Sequence, residues 1–149
     1  MKFKGISLAV AITATVSASV FAASHSPITE RQEAMKAIGG QMRTLSGMAQ
    51  GKVAYDDLTA ISSLEIMRNA AVSAQSLFPE GSDMGGETRA MPEIWAADSD
   101  FDARMTQMVA SLDAAIAAEP ADAASFGPLF GAVAGTCKGC HEKYRAPEN

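Results

Sequence analysis

Two cysteines and a histidine stand together near the C-terminal end of the chain, in the run Cys137-Lys138-Gly139-Cys140-His141. They are the chain's only two cysteines and one of its two histidines. A disulfide across so short a loop would add little, and no other cysteine is present to build a disulfide framework. A redox dithiol of the thioredoxin kind needs a βα setting, which the surrounding sequence lacks. A zinc site needs a further ligand, and the other histidine, His25, lies in the N-terminal stretch. A coincidental pair of core cysteines would leave free thiols followed at once by histidine. C-x-x-C-H, by contrast, is the attachment motif of c-type haem. Residues three and four apart share one face of a helix. Cys137 and Cys140 then reach the two vinyl groups at one porphyrin edge, and the His141 imidazole reaches the iron.

The other face of such a haem needs a residue from upstream, because no methionine follows His141 and the last one is Met108. The first apolar stripe of the chain offers Arg31 and, one turn on, Met35. A charged residue on a core face is costly unless paired. Arg31 therefore predicts an anion nearby, either a haem propionate or a carboxylate on a neighbouring helix. Met35 supplies a thioether suited to iron, although a methionine on an apolar stripe also serves as plain core. Gly39-Gly40 follows, and two glycines within a helix cost about 2 kcal/mol relative to alanine. A flat porphyrin against the backbone would account for them. Arg145, four residues after His141, either shields the imidazole or meets a propionate.

Four amphipathic segments position these residues. The first opens at Ser26-Pro27, an N-cap followed by proline in the first turn, and ends at Gly51. Its stripe is Ile28, Met35, Met42 and Ala49, interleaved with Ile38 and Leu45. The second opens near Asp56, carries Leu58, Ile61, Leu64 and Ala71, and stops at Phe78 before Pro79. Residues 79–92 are irregular, with a short helical turn expected from Pro92 through Trp95. The third opens near Asp98, repeats as Phe101, Met105, Met108, Leu112 and Ala115, and closes at Glu119-Pro120. The fourth begins between Asp122 and Pro128 and carries Phe126, Phe130, Val133, Cys137, Cys140 and Tyr144 inward. Nothing alternates with period two. The expected fold is all-α, an antiparallel four-helix bundle with covalently bound haem.

The first residues do not belong to that bundle. Lys2 and Lys4 precede an apolar run from Ile6 to Val20, and Val20-Phe21-Ala22 offers small residues at the cleavage positions. Residues 1–22 read as a secretory signal peptide, leaving 23–149 as one haem domain. Secretion implies the periplasm, and no later segment is apolar enough to span a bilayer. The chain has 17 acidic against 12 basic residues, a formal net charge of −5. That balance argues against nucleic acid and suits a basic redox partner.

With CKGCHEKYR at the end of a four-helix bundle, the chain resembles the class II c-type cytochromes, the family of cytochrome c′ and cytochrome c-556. RQEAMK matches the first-helix pattern, putting Arg31 and Met35 on the family's haem-facing positions. AQGKVAYDD resembles the first inter-helix loop, and PEIW the entry to the third helix. The resemblance implies one covalent haem c with its iron, held by Cys137, Cys140 and His141. It divides at Met35. In the c-556 branch a first-helix methionine binds iron and makes a low-spin electron carrier. In cytochrome c′ the iron is five-coordinate and takes small gases such as NO and CO. MKAIGG looks more like the c-556 branch. The leading expectation is therefore an electron carrier, not an enzyme, cycling Fe(II) and Fe(III) between His141 and Met35 toward a redox protein partner. The gas-binding protein is the alternative. Family members often form homodimers through their first two helices, where this chain shows no diagnostic patch.

Overall fold

A computed structural model describes residues 26–148. The expected signal peptide lies outside the described residues. Four helices follow in order: α1 (Pro27–Ala49), α2 (Asp57–Ala74), α3 (Phe101–Ala117) and α4 (Ala123–Tyr144). A 3-10 turn over Pro92–Trp95 precedes α3. Each helix packs against two neighbours, α1 on α2, α2 on α3, α3 on α4 and α4 back on α1. Among the described residues there is no strand, only an isolated antiparallel bridge between Ala90 and Arg145. The architecture is the expected all-α four-helix bundle.

Local chemistry starts the helices where the sequence says. The Ser26 hydroxyl accepts from the Thr29 amide, with Pro27 in the first turn of α1. Asp56 caps α2 through the Thr59 amide. Asp122 and Ser125 form a reciprocal capping box at α4, satisfying amides that the first turn would otherwise leave open. Pro128 is accommodated inside α4, so the fourth helix starts at the early end of its expected window.

The third helix buries the expected Phe101, Met105, Met108, Leu112 and Ala115. Two other stripes are rotated from expectation. In α1 the buried line is Ile28, Arg31, Ile38, Leu45 and Met48, which leaves Met35 and Met42 half-buried at its edge. In α2 the buried line is Ala60, Ser63, Leu64, Met67, Ala71 and Ala74, and Leu58 is 78% exposed. The small residues Ala60, Ser63, Ala71 and Ala74 take the inward face because they let neighbouring backbones approach. The helix also ends at Ala74 rather than Phe78, which frees Leu77 and Phe78 to join the following loop.

The interior has two clusters. One, built on Leu45, Leu64, Met67, Leu112, Phe126 and Val133, runs through the middle of the bundle and toward the Tyr55 and Pro120 loops. The other, built on Ala74, Ile94, Phe101, Met105 and Tyr144, fills the opposite end. Met35 packs against both, Cys137 against the first and Cys140 against the second.

Candidate cofactor site

At the second cluster the bundle opens into an apolar cleft. Met35 reaches it from α1, Phe101 and Met105 from α3, and Cys140, His141 and Tyr144 from α4. Phe78, Ala90 and Ile94 close it from the irregular segment. Its empty space, counted out through the open mouth into solvent, is about 750 Å³. Cys137 lies next door, in a surface groove shared with His141, Arg89, Lys138 and Arg145. His141 faces both spaces, so α4 sets the two thiols on either side of the imidazole, as the i, i+3, i+4 spacing predicts.

Both cysteines are free and half-buried. Burial pushes both thiols above their ordinary pKa, so neither is an activated thiolate of the redox-dithiol kind. Among the described residues no group of three His, Cys, Asp or Glu is placed to hold a metal ion. Burial also pushes the His141 pKa down, helped by the charges of Arg145 and Arg89. The imidazole is thereby kept neutral, the form that ligates iron. Thiols beside a neutral imidazole, with a thioether from α1 lining the same apolar cleft as the imidazole, form a donor set that fits haem c.

Arg31 borders the same cleft and is 3% exposed. Its guanidinium is held by the irregular segment. Nη1 donates to the Leu77 carbonyl at 3.3 Å and the Ser82 hydroxyl at 2.9 Å. Nη2 donates to the Ser82 carbonyl at 2.7 Å and the Thr88 hydroxyl at 2.9 Å. The charge lies 5.0 Å from the Phe78 ring centroid and 6.0 Å from Trp95. Burial lowers its pKa, with Asp83 acting the other way. The expected carboxylate on a neighbouring helix is not what binds it. Neutral acceptors do, and they turn Arg31 into the clamp of the 77–88 loop. Trp95 serves the same loop, donating its indole N–H to the Phe78 carbonyl at 2.9 Å. The glycines behave otherwise than expected: neither Gly39 nor Gly40 lines the cleft, and a Cβ on Gly39 would meet nothing within 4 Å.

Sequence reasoning missed the clamp on the end of α4. The Tyr144 phenol donates to the Asp100 carboxylate and accepts from the Asp100 amide at 3.0 Å. Lys143 and Arg104 reach the same carboxylate, each at 2.9 Å. These bonds, Tyr144 first, hold the Asp100 carboxyl well below the usual carboxylate range. Beyond α4, the Met91 amide donates to the Tyr144 carbonyl and the Ala146 amide to the Arg89 carbonyl. The tail is thus sewn to residues 89–91, beside His141. Nothing in the sequence marks Asp100 as the receiver of these bonds, since its partners lie 43 and 44 residues away on α4 and within α3.

The comparisons with known proteins agree with this geometry. The family described as Cytochrome C′ matches residues 26–145. Cytochrome c′ of Rhodopseudomonas palustris is 30% identical over 122 residues, 82% of this chain and 83% of the relative. Cytochrome c-556 of Agrobacterium tumefaciens is 31% identical over 111 residues, 74% of this chain and 87% of the relative. The solved cytochrome c′ of Rhodopseudomonas palustris superposes with a TM-score of 0.79 at 29% identity, covering 85% of this chain and all of its own. With bundle, donor set and relatives in accord, the chain belongs to the cytochrome c′ family of class II c-type cytochromes, electron-transport proteins that carry covalent haem c.

Proposed function

We propose that Cys137 and Cys140 would hold the haem through thioethers and that His141 and Met35 would ligate its iron. The protein on this reading is an electron carrier rather than an enzyme, working in the periplasm once residues 1–22 are removed. The observation that carries it is the convergence of Cys140, His141 and Met35, from α4 and α1, on one apolar cleft. When bound, the haem supplies an iron that passes single electrons between Fe(II) and Fe(III). The chain's own residues do the rest. Phe78, Phe101, Ile94 and Met105 exclude water, so little solvent reorganises on a change of charge. Arg31 cannot act as a free proton donor, because Leu77, Ser82 and Thr88 occupy its guanidinium. It instead holds a buried positive charge at the cleft, where it would favour a propionate and the reduced state.

A second reading has its own support. Several relatives, among them that of Rhodopseudomonas palustris, carry the name cytochrome c′, the branch with an open sixth position and affinity for NO and CO. Optical spectra of the haem protein, oxidised and reduced, with and without CO, test the two. Low-spin bands with a sulfur-to-iron charge-transfer band, lost in Met35→Ala, and no prompt CO shift are expected for the carrier. High-spin bands with a prompt CO shift would overturn Met35 as ligand and favour gas binding.

A further inference from the structure

We propose that the surface groove beside Cys137 is the docking face for an acidic protein partner, through which electrons leave or enter. The inference rests on the haem attachment proposed above. It reverses the expectation from net charge alone, which favoured a basic partner.

Charge on this molecule is unevenly spread. All 17 carboxylates fall within residues 26–148, and Lys2 and Lys4 are the only two of the 12 basic residues outside it. The described chain is therefore strongly acidic. Yet Arg89, Lys138 and Arg145 line the groove around Cys137 and His141, with Glu142 as its one acidic wall. Arg104, on α3, lies at another face of α4, in a separate groove with Gly139. Lys143 also points away from the groove, bonded with Arg104 to Asp100. Three cations thus line the groove, against Glu142 in its wall and Glu148, which pairs with Arg89. Lys138 is 78% exposed and only loosely paired, 3.7 Å from Glu142. Arg145 is exposed and makes no ion pair among the described residues.

Position gives the patch its meaning. The groove has the half-buried Cys137 and His141 in its wall, so a partner seated there is brought within reach of the cofactor edge. The 79–98 segment, which flanks the groove and lends it Arg89, otherwise carries Glu80, Asp83, Glu87, Glu93 and Asp98. An acidic partner is repelled by that flank and attracted to the groove, so the same field that draws it also orients it. Surface fields of this kind act over about 8–10 Å at ordinary salt, which covers the groove but not the whole molecule.

The test uses the reduced full haem protein and hexacyanoferrate(III). One electron passes from the protein, which is oxidised, to the complex, which becomes hexacyanoferrate(II). If the local patch governs encounter, the second-order rate falls as salt rises, despite the acidic chain. Lys138→Glu lowers the low-salt rate severalfold, whereas Lys52→Glu, on the α1–α2 loop, changes it little. Polyglutamate then competes with the reaction and shifts the amide resonances of residues 138–145. A rate that rises with salt, equal effects of the two variants, or polyglutamate shifts elsewhere would overturn the docking face. Competition absent while the salt slope is negative would limit the groove to small anions and also overturn it. A purified chain with no haem absorbance would instead remove the attachment on which the proposal rests.

Discussion

The two interior clusters are held together by different physics. The middle of the bundle is aliphatic and aromatic, with Leu45, Leu64, Leu112, Phe126 and Val133 wholly buried and in mutual contact. Its stability comes from apolar area removed from water and from dense packing. The cofactor end has fewer buried apolar residues and an open cleft. It is closed by directional bonds instead: Arg31 to the 77–88 loop, Tyr144 and Lys143 to Asp100, and the tail to residues 89–91. An end built to receive a large flat group cannot fill itself with side chains. It must hold its walls apart by polar clamps until the group supplies the missing contacts.

This contrast predicts a graded set of responses. The largest belongs to the filled core: Phe126→Ala should cost about 4 kcal/mol, with or without haem, in urea unfolding. Equal loss from a variant at the cleft would break the distinction. Next, Arg31→Ala should cost about 2–3 kcal/mol, since it leaves the Ser82 and Thr88 groups without their partner. Hydrogen exchange should show the loss confined to residues 77–91, while the middle of α2 stays protected. Tyr144→Phe keeps the ring, which lies edge-on to Phe101 at 5.3 Å, and removes only the phenol. About 1 kcal/mol is expected, read as faster exchange at the Asp100 amide.

The smallest effect is a pH dependence. Asp100 is held below the ordinary carboxylate range by Tyr144, Lys143 and Arg104. A carboxyl depressed in the folded state contributes fully above its unfolded value of about 4 and loses that contribution as pH falls toward its folded value. Thermal unfolding of Asp100→Asn should therefore lose part of the acid slope below about pH 4 and match wild type in slope above it. An unchanged acid limb would show that the clamp contributes nothing to the cofactor end.

Much of the site could be read from neighbouring residues. Cys137, Cys140 and His141 lie within one turn, and helical geometry alone puts them on one side of α4. The caps at Ser26, Asp56 and Asp122 were equally legible, because each acts within three residues of itself. The register of α1 and α2 was less so. Met35 and Leu58 look like core by spacing, but which of several apolar lines turns inward depends on the helix opposite. Leu58 ends up exposed, and Met35 ends up at the edge facing the cleft.

The partners of Arg31 were out of reach for a different reason. Ser82 and Thr88 lie 51 and 57 residues away, in a stretch with no periodicity to mark them. The sequence announces that a charge is buried, not what receives it. Likewise the joining of Arg89 to Arg145 and Lys138 around Cys137 arises only when the tail returns beside residues 89–91. Short-range chemistry, set by 3.6 residues per turn, was therefore written in the chain: the four helices, their starts and the attachment motif. The tertiary structure alone decided which long-range groups meet, because closing those loops depends on the packing of the whole bundle and not on any local preference.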